Sequence, residues 1–241
     1  MCSESASEGI IAKLPQGSFL EIGIGGGGGM IPTLSQYGHW GLGIDISQDM
    51  VEHAMKFIPD CPRTISLQAR DFWTINDQFD LVIALDFLEH FEDDYAVLRK
   101  FCSLTTAGGT IILCVPAREK KWDETDRWAG HFRRYEKHTI IKKLSEVNLF
   151  CETVWSFGFP LLNVATKVRN YLLAKQNREN VYLKHYDQSQ RTELSGMTAL
   201  QETKWRIFFN NFWLSPFTLL QKPFLHRDWG VSYLIKASPV Q

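Results

Sequence analysis

The 241-residue chain carries a net charge of −1, and 44% of its residues are apolar. That balance suits a globular domain with one elaboration and argues against a general nucleic-acid binder, which should be strongly basic. The five cysteines are scattered, with no CxxC pair and no clustering with histidine, so neither zinc nor a disulfide framework is supported.

The first residues, Met1 to Glu8, are polar and acidic, unlike a signal peptide. No apolar run reaches the ~18 residues of a membrane span, and a cytoplasmic protein is expected. A polar-capped helix is predicted over 3–14. Ser18 to Ile22 reads as a buried strand (18–23) running into six glycines, Gly23 and Gly25 to Gly29. Bare backbone there lets a ligand lie close, and the helix predicted to start at Met30 would turn its first amides toward it. A nucleotide-like cofactor is the first expectation.

A second strand over 38–45 ends in Asp45. Ser47 is a good N-cap for a helix over 48–58, which Pro59 to Pro62 breaks. A third strand (64–67) leads to Asp71-Phe72, and Phe79 to Ala84 is a continuous apolar strand followed by Leu85-Asp-Phe-Leu-Glu-His90. A helix over 92–104, a turn at Gly108-Gly109 and a strand over 110–115 follow. A helix (138–147) and a strand (149–156) resume the pattern, and Gly230 to Lys236 reads as the last strand. Apolar strands alternating with helices predict a doubly wound α/β domain whose mostly parallel sheet binds ligands at its carboxyl edge. The expected organisation is a core over 1–159, a helical insertion or cap over 160–228, and a final core strand over 229–241.

The glycines alone leave the cofactor open. Gly23, Gly25 and Gly28 satisfy GxGxxG, with Asp45 near the position of a dinucleotide's ribose-binding acid, while Gly23, Gly25 and Gly27 satisfy GxGxG equally well. Glu21 weighs against a pyrophosphate, which it would repel, and suits a cofactor with a cationic amino-acid end. Asp71-Phe72 could bond and stack an adenine. No second catalytic domain of dehydrogenase type follows.

With these pieces in order, from Glu21-Ile-Gly-Ile-Gly-Gly-Gly27 through Asp45 and Asp71-Phe72 to the run Phe79–Pro116, the chain resembles class I S-adenosylmethionine-dependent methyltransferases. Within that run, Leu88 to Asp93 is similar to the small-molecule branch. The resemblance implies a seven-stranded Rossmann-like sheet and S-adenosyl-L-methionine as cofactor. It implies that Gly23, Gly25 and Gly27 approach the cofactor backbone-first, that Glu21 orients the loop, and that Asp45 accepts the ribose hydroxyls. Ile46 would pack on adenine, Asp71 and the Phe72 amide would bond it, and Leu85 with Asp86 would line the methionine end.

Methyl transfer from a sulfonium asks the protein to position the acceptor and remove a proton. Asp86, Glu89, His90 and His131 are the candidates, with Asp86, His90 and His131 put forward as catalytic. Gly130 to Tyr135 resembles a Gly-His-x-Arg-Arg-Tyr element of one methyltransferase branch. Arg133 and Arg134, with Tyr135, could hold an anionic part of the acceptor, or the arginines could pair with Asp123, Asp126 and Glu136 in a surface turn. Aromatic residues recur at helical spacing over 205–220. Core packing explains them, and peripheral membrane contact is the second reading. The expected function is O-methylation of a small-molecule or lipid- or glycan-linked acceptor. The rivals are a nicotinamide-dependent oxidoreductase and a non-catalytic binding module on the same fold.

Overall fold

The computed structural model describes residues 8–58, 60–160, 163 and 222–240. Its strands are β1 (Ser18–Ile22), β2 (Trp40–Asp45), β3 (Ile65–Ala69), β4 (Phe79–Leu85), β5 (Thr105–Pro116), β6 (Leu149–Phe157) and β7 (Ser232–Pro239). They form one seven-stranded sheet in the order β3-β2-β1-β4-β5-β7-β6. β7 runs antiparallel to both β5 and β6, and the other pairs are parallel. The helices are α1 (Ile31–Gln36), α2 (Gln48–Phe57), α3 (Asp94–Leu104), α4 (Glu124–Ala129) and α5 (Lys137–Glu146).

The doubly wound prediction follows from burial on both faces of the sheet. On one face Leu20, Ile22, Val82, Ala84, Ile111 and Leu113 pack with Val97 and Phe101 of α3 and Ile140 and Leu144 of α5. On the other, Phe19, Leu81, Ile83 and Ile112 pack with Ile31 and Leu34 of α1 and Val51 and Ala54 of α2. Alternate residues of β4 from Leu81 onward thus serve opposite cores, which is why the strand is apolar from there on. The Ser47 cap forms as expected, its hydroxyl accepting from Met50 N at 3.4 Å.

Three boundaries differ from expectation. Gly108-Gly109 is no turn between helix and strand but lies within β5: the register steps from Phe79↔Thr105 to Leu81↔Thr110, so a bulge takes up the intervening residues. The last strand starts at Ser232, because Gly230 is held in the preceding turn by a 2.8 Å bond from its amide to Ser156 Oγ. The first helix ends at residue 11 instead of 14, and its expected start before residue 8 lies outside the described residues. Most of the expected insertion, including 205–220, lies outside the described residues. No helix among the described residues is long and apolar enough to cross a membrane.

Strand order reverses between β1 and β4: the chain winds outward through β2 and β3, then returns to β4 and β5. Ligand crevices in open α/β sheets form at such a switch point, beyond the carboxyl ends of the strands. Gly23, Asp45, Asp71 and Asp86 all follow or end those strands here. A cavity of about 300 Å³ near Gly17, His39 and Asp80 opens at the opposite, amino edge, away from these residues.

Candidate active site

The glycine turn and the β2 acid form one unit. Gly25 has φ +56° with open space where a side chain would stand, and its amide donates to Asp45 Oδ2 at 2.9 Å. The other Asp45 oxygen accepts from Ser47 N at 3.0 Å. Each oxygen keeps a second lone-pair direction. Ile46 is 77% exposed beside it, an apolar surface at the rim. Asp71 Oδ1 accepts from Trp73 N at 3.0 Å, capping a 3-10 turn over Phe72–Thr74. The Phe72 ring is buried in an aromatic cluster with Phe87, Phe91 and Phe101, so it is not free to stack on an adenine as the sequence suggested, and only its backbone is offered to a ligand. Gly23 (φ +76°) and Leu85 close the floor at the ends of β1 and β4.

Past β4 the chain turns through Asp86, whose φ of +50° lies in the left-handed region that few non-glycine residues adopt. Its amide bonds to Cys114 O at 3.0 Å, and its Oδ1 accepts from Cys114 Sγ at 3.1 Å. Asp86 is exposed as a residue, but desolvation of its carboxyl end raises the acid above the usual range, opposed by the Cys114 thiol bond and by His131. Glu89 is wholly buried. Desolvation and the nearby Asp86 charge push its carboxyl well up. Desolvation and His131 push the His90 imidazole down to about 4. The His90 and His131 rings meet edge to face at 4.8 Å, and His131 Nε2 lies 3.8 Å from Glu89 Oε1.

His131 is set by Asp126. Its Nδ1 is 2.9 Å from Asp126 Oδ1, and its backbone amide bonds to Asp126 O at 2.9 Å. Burial alone would raise the Asp126 carboxyl, but hydrogen bonds from His131, Arg134 and the Asp123 backbone overcome it, and the net shift is downward. An ionised carboxylate only accepts, so Nδ1 carries a proton toward Asp126 and Nε2 is the ring nitrogen turned toward Glu89. Phe132 N donates to Glu89 O at 2.8 Å, fastening this segment to the loop after β4.

Glu21 decides which nucleotide the glycine turn suits. Both of its oxygens accept from Met30 N, at 2.8 and 3.0 Å, and the side chain is buried. The amide leading into α1, the group a pyrophosphate would seek, already has an anion on it. A second anion there would be repelled, and a cationic group is favoured.

The sequence comparison agrees. A methyltransferase-domain family model matches residues 8–162. The chain belongs to that family. No functionally curated protein sequence matches it. Among solved structures it is similar to a putative methyltransferase from Bacillus halodurans C-125, at 16% identity over 98% of each chain and TM-score 0.63. It is also similar to magnesium protoporphyrin IX methyltransferase from Synechocystis PCC 6803 with bound SAH, at 23% identity over 65% of this chain and 78% of that one, TM-score 0.53. A [4+2]-cyclase, SpnF, shares the fold at 15% identity over 98% of this chain and 81% of that one, TM-score 0.62. At these identities the structures speak for the fold alone, and the family match speaks for the enzyme class.

In the methyltransferase, two expected acceptor-binding residues have other work. The structure corrects both. Arg134 is buried, with Nε on Asp126 at 2.8 Å, Nη2 3.8 Å from Asp123 and Nη1 on Ala117 O at 3.4 Å. Tyr135 is 1% exposed and its hydroxyl bonds to buried Asp94 at 3.1 Å. The arginine–acid pairing read from the sequence is thus present, but inside the protein and not in a surface turn. Arg133 is half-buried, with Nη1 3.1 Å from Asp94 and Nη2 on Glu92 O at 2.5 Å. Its guanidinium braces the loop between β4 and α3.

Two glycines and two acids were undervalued in the sequence. Gly28 and Gly29 adopt φ of +74° and +52°, while Gly27 does not have a positive φ. A Cβ on Gly29 would stand 2.2 Å from Glu21 Oε1, so the apparent excess of glycine is where the loop closes on its acid. Asp126 orients the His131 imidazole, and the Glu89 carbonyl fastens that segment through Phe132 N. The signal for Asp126 was its N3 position in a capping box with Asp123, the reciprocal contact from Asp126 Oδ2 to Asp123 N being 2.9 Å.

Proposed function

We propose that this methyltransferase transfers a methyl group from S-adenosylmethionine to an oxygen nucleophile on a small-molecule or lipid- or glycan-linked acceptor. The Glu21–Met30 contact carries the cofactor choice, because it makes the glycine turn hostile to a pyrophosphate and hospitable to an ammonium. Asp45 stands ready to accept from a ribose diol, Ile46 to cover the adenine, and Asp71 with the Phe72 amide to bond its edge. The Synechocystis structures hold SAH and SAM on the same fold.

In the transfer, the acceptor oxygen attacks the sulfonium methyl in line. The carbon–sulfur bond breaks as the carbon–oxygen bond forms, and sulfur leaves as a neutral thioether. The acceptor's proton has to go somewhere, and Asp86, His90 and His131 supply that path beyond β4. This acid–imidazole cluster favours a hydroxyl acceptor, whose proton needs removal. The segment holding His131 is the Gly-His-x-Arg-Arg-Tyr stretch, in keeping with the branch its sequence resembles.

Calorimetry with SAM, SAH and NADH tests the donor. Micromolar SAH binding and no NADH binding are expected, and folded protein that ignores SAH overturns the reading. Labelled SAM incubated with fractionated metabolite and lipid extracts tests the acceptor. His131→Ala should keep SAH affinity within about twofold and lose most turnover once an acceptor is found.

A further inference from the structure

We infer that Glu89, His90 and His131 form a binding site for one divalent transition-metal ion, beside the point where the acceptor meets the methyl group. One ligand atom from each of the three lies within 4.8 Å of the others. His131 Nε2 and Glu89 Oε1 are 3.8 Å apart: too long for a hydrogen bond, but a span that an ion bonded at about 2.0–2.2 Å to each bridges. Modest rotation of the imidazoles closes the remainder.

An independent observation points to a ligand. Glu89 is 0% exposed, and both of its carboxyl oxygens lack a hydrogen-bond partner. Buried carboxylates are almost always satisfied, and protonation would leave this one still without an acceptor for its proton. An ion between Glu89 and the two imidazoles resolves the deficit. The outer contacts fit as well. A metal-binding histidine usually gives its other ring nitrogen to a carboxylate or carbonyl; His131 Nδ1 faces Asp126 at 2.9 Å, and His90 bonds to the Asp86 backbone. Two nitrogens and one carboxylate oxygen favour zinc, manganese or iron over magnesium or calcium, and three protein ligands leave positions open for an exogenous oxygen.

The role of the ion, though not its binding, rests on the methyl-transfer reading. An acceptor hydroxyl bound at an open position loses its proton more readily. With His90 and His131 committed to the ion, that proton passes to the Asp86 carboxylate in place of an imidazole, the oxygen takes the methyl group as sulfur leaves, and the neutral ether then dissociates from the ion. This reading replaces the expectation of no metal, which rested on cysteine spacing.

The test uses the full-length protein, stripped with EDTA and titrated with zinc chloride by calorimetry. SAH affinity is measured in parallel. Binding of one zinc per chain at micromolar Kd or tighter is expected. Glu89→Gln and His131→Gln should each weaken it at least tenfold, with the circular dichroism spectrum and SAH affinity unchanged. His90→Gln, at a less buried ring, gives the same readout if Glu89→Gln does not fold. A wild-type chain that takes up no zinc, or variants that bind it as tightly as wild type, overturns the inference. Zinc binding without SAH binding sinks the methyl-transfer reading instead, and SAH binding without zinc sinks this one alone.

Discussion

Asp126 divides its carboxylate between two side chains: Oδ1 takes His131 Nδ1 at 2.9 Å, and Oδ2, which also accepts from Asp123 N, takes Arg134 Nε at 2.8 Å. Both partners are largely enclosed, so neither can turn to water for compensation. Removing the acid leaves a buried guanidinium with only the more distant Asp123 carboxylate and the Ala117 carbonyl, and loss of the close partner of a buried charge is costly. Asp126→Ala should therefore lower unfolding free energy by about 3 kcal/mol. Urea denaturation at neutral pH checks this, and a loss under ~1 kcal/mol would mean that the pair behaves as an exposed one.

Gly25 and Gly29 share a left-handed backbone and differ in surroundings, which makes a controlled comparison. Alanine at Gly25 meets open space and should cost only the backbone penalty, about 1–2 kcal/mol. Alanine at Gly29 pays that penalty and also collides with Glu21 Oε1 at 2.2 Å. We expect Gly29→Ala to be clearly less stable by thermal melting and to lose SAH affinity more than tenfold, as Glu21 is pushed off Met30. Equal melting temperatures for the two variants would count against the Glu21 clamp.

Asp45→Ala removes the acceptor for a ribose diol. Hydrogen bonds to a charged group are worth roughly 1.5–3 kcal/mol each, so SAH affinity should fall on the order of a hundredfold. Calorimetry on variant protein with a wild-type circular dichroism spectrum gives the number. An effect below threefold would move the ribose elsewhere.

Stability toward acid should depend on Asp80, at the other edge of the sheet. It accepts from Ser18 N at 2.9 Å, Ser18 Oγ at 2.8 Å and Thr106 Oγ1 at 3.1 Å, tying together β1, β4 and β5. The Ser18 amide, its hydroxyl and, in smaller part, Thr106 hold the carboxyl below its ordinary value against a small opposing burial effect. A lowered folded pKa means that the contribution is fully present above the unfolded value of about 4 and fades as pH falls through the folded one. Because Asp80 is exposed, the gap between wild type and Asp80→Asn should be under about 1 kcal/mol. It should be present at pH 7 and 5 and shrink below pH 4. Urea midpoints across that range measure it, and a gap that widens in acid contradicts the assignment.

What the sequence reveals here follows the range of each interaction. β4 is legible because Phe79 and the run Leu81 to Leu85 serve cores on both faces or end at the crevice. Glu21, Asp45 and Asp71 are legible because each lies at or just beyond a strand's carboxyl end. Their use is less so: all three accept from nearby backbone amides, and only coordinates show that these acids stiffen the loops they belong to. Gly108-Gly109 misleads because a glycine pair has turn chemistry, whereas here a bulge consumes it. Arg134 and Tyr135 mislead for a different reason. Neighbouring basic and phenolic residues resemble a ligand clamp, and Asp94, which takes up Tyr135, is 41 positions away. Glu89 was named in a familiar motif, but its solitude inside the protein is a property of packing.

Asp94 binds Tyr135, Arg133 and Lys143 Nζ, the last at 2.8 Å, so one carboxylate joins the start of α3 to the His131 segment and to α5. The stretch that carries His131 is thereby also mortar between helices. A lineage drifting toward a new acceptor gains little freedom from this stretch, since each change that would redraw the site also loosens the wall behind it. Retargeting, in nature or by design, has to proceed through residues that hold neither the sheet nor the imidazoles. The corner around His131 belongs to the scaffold as much as to the site.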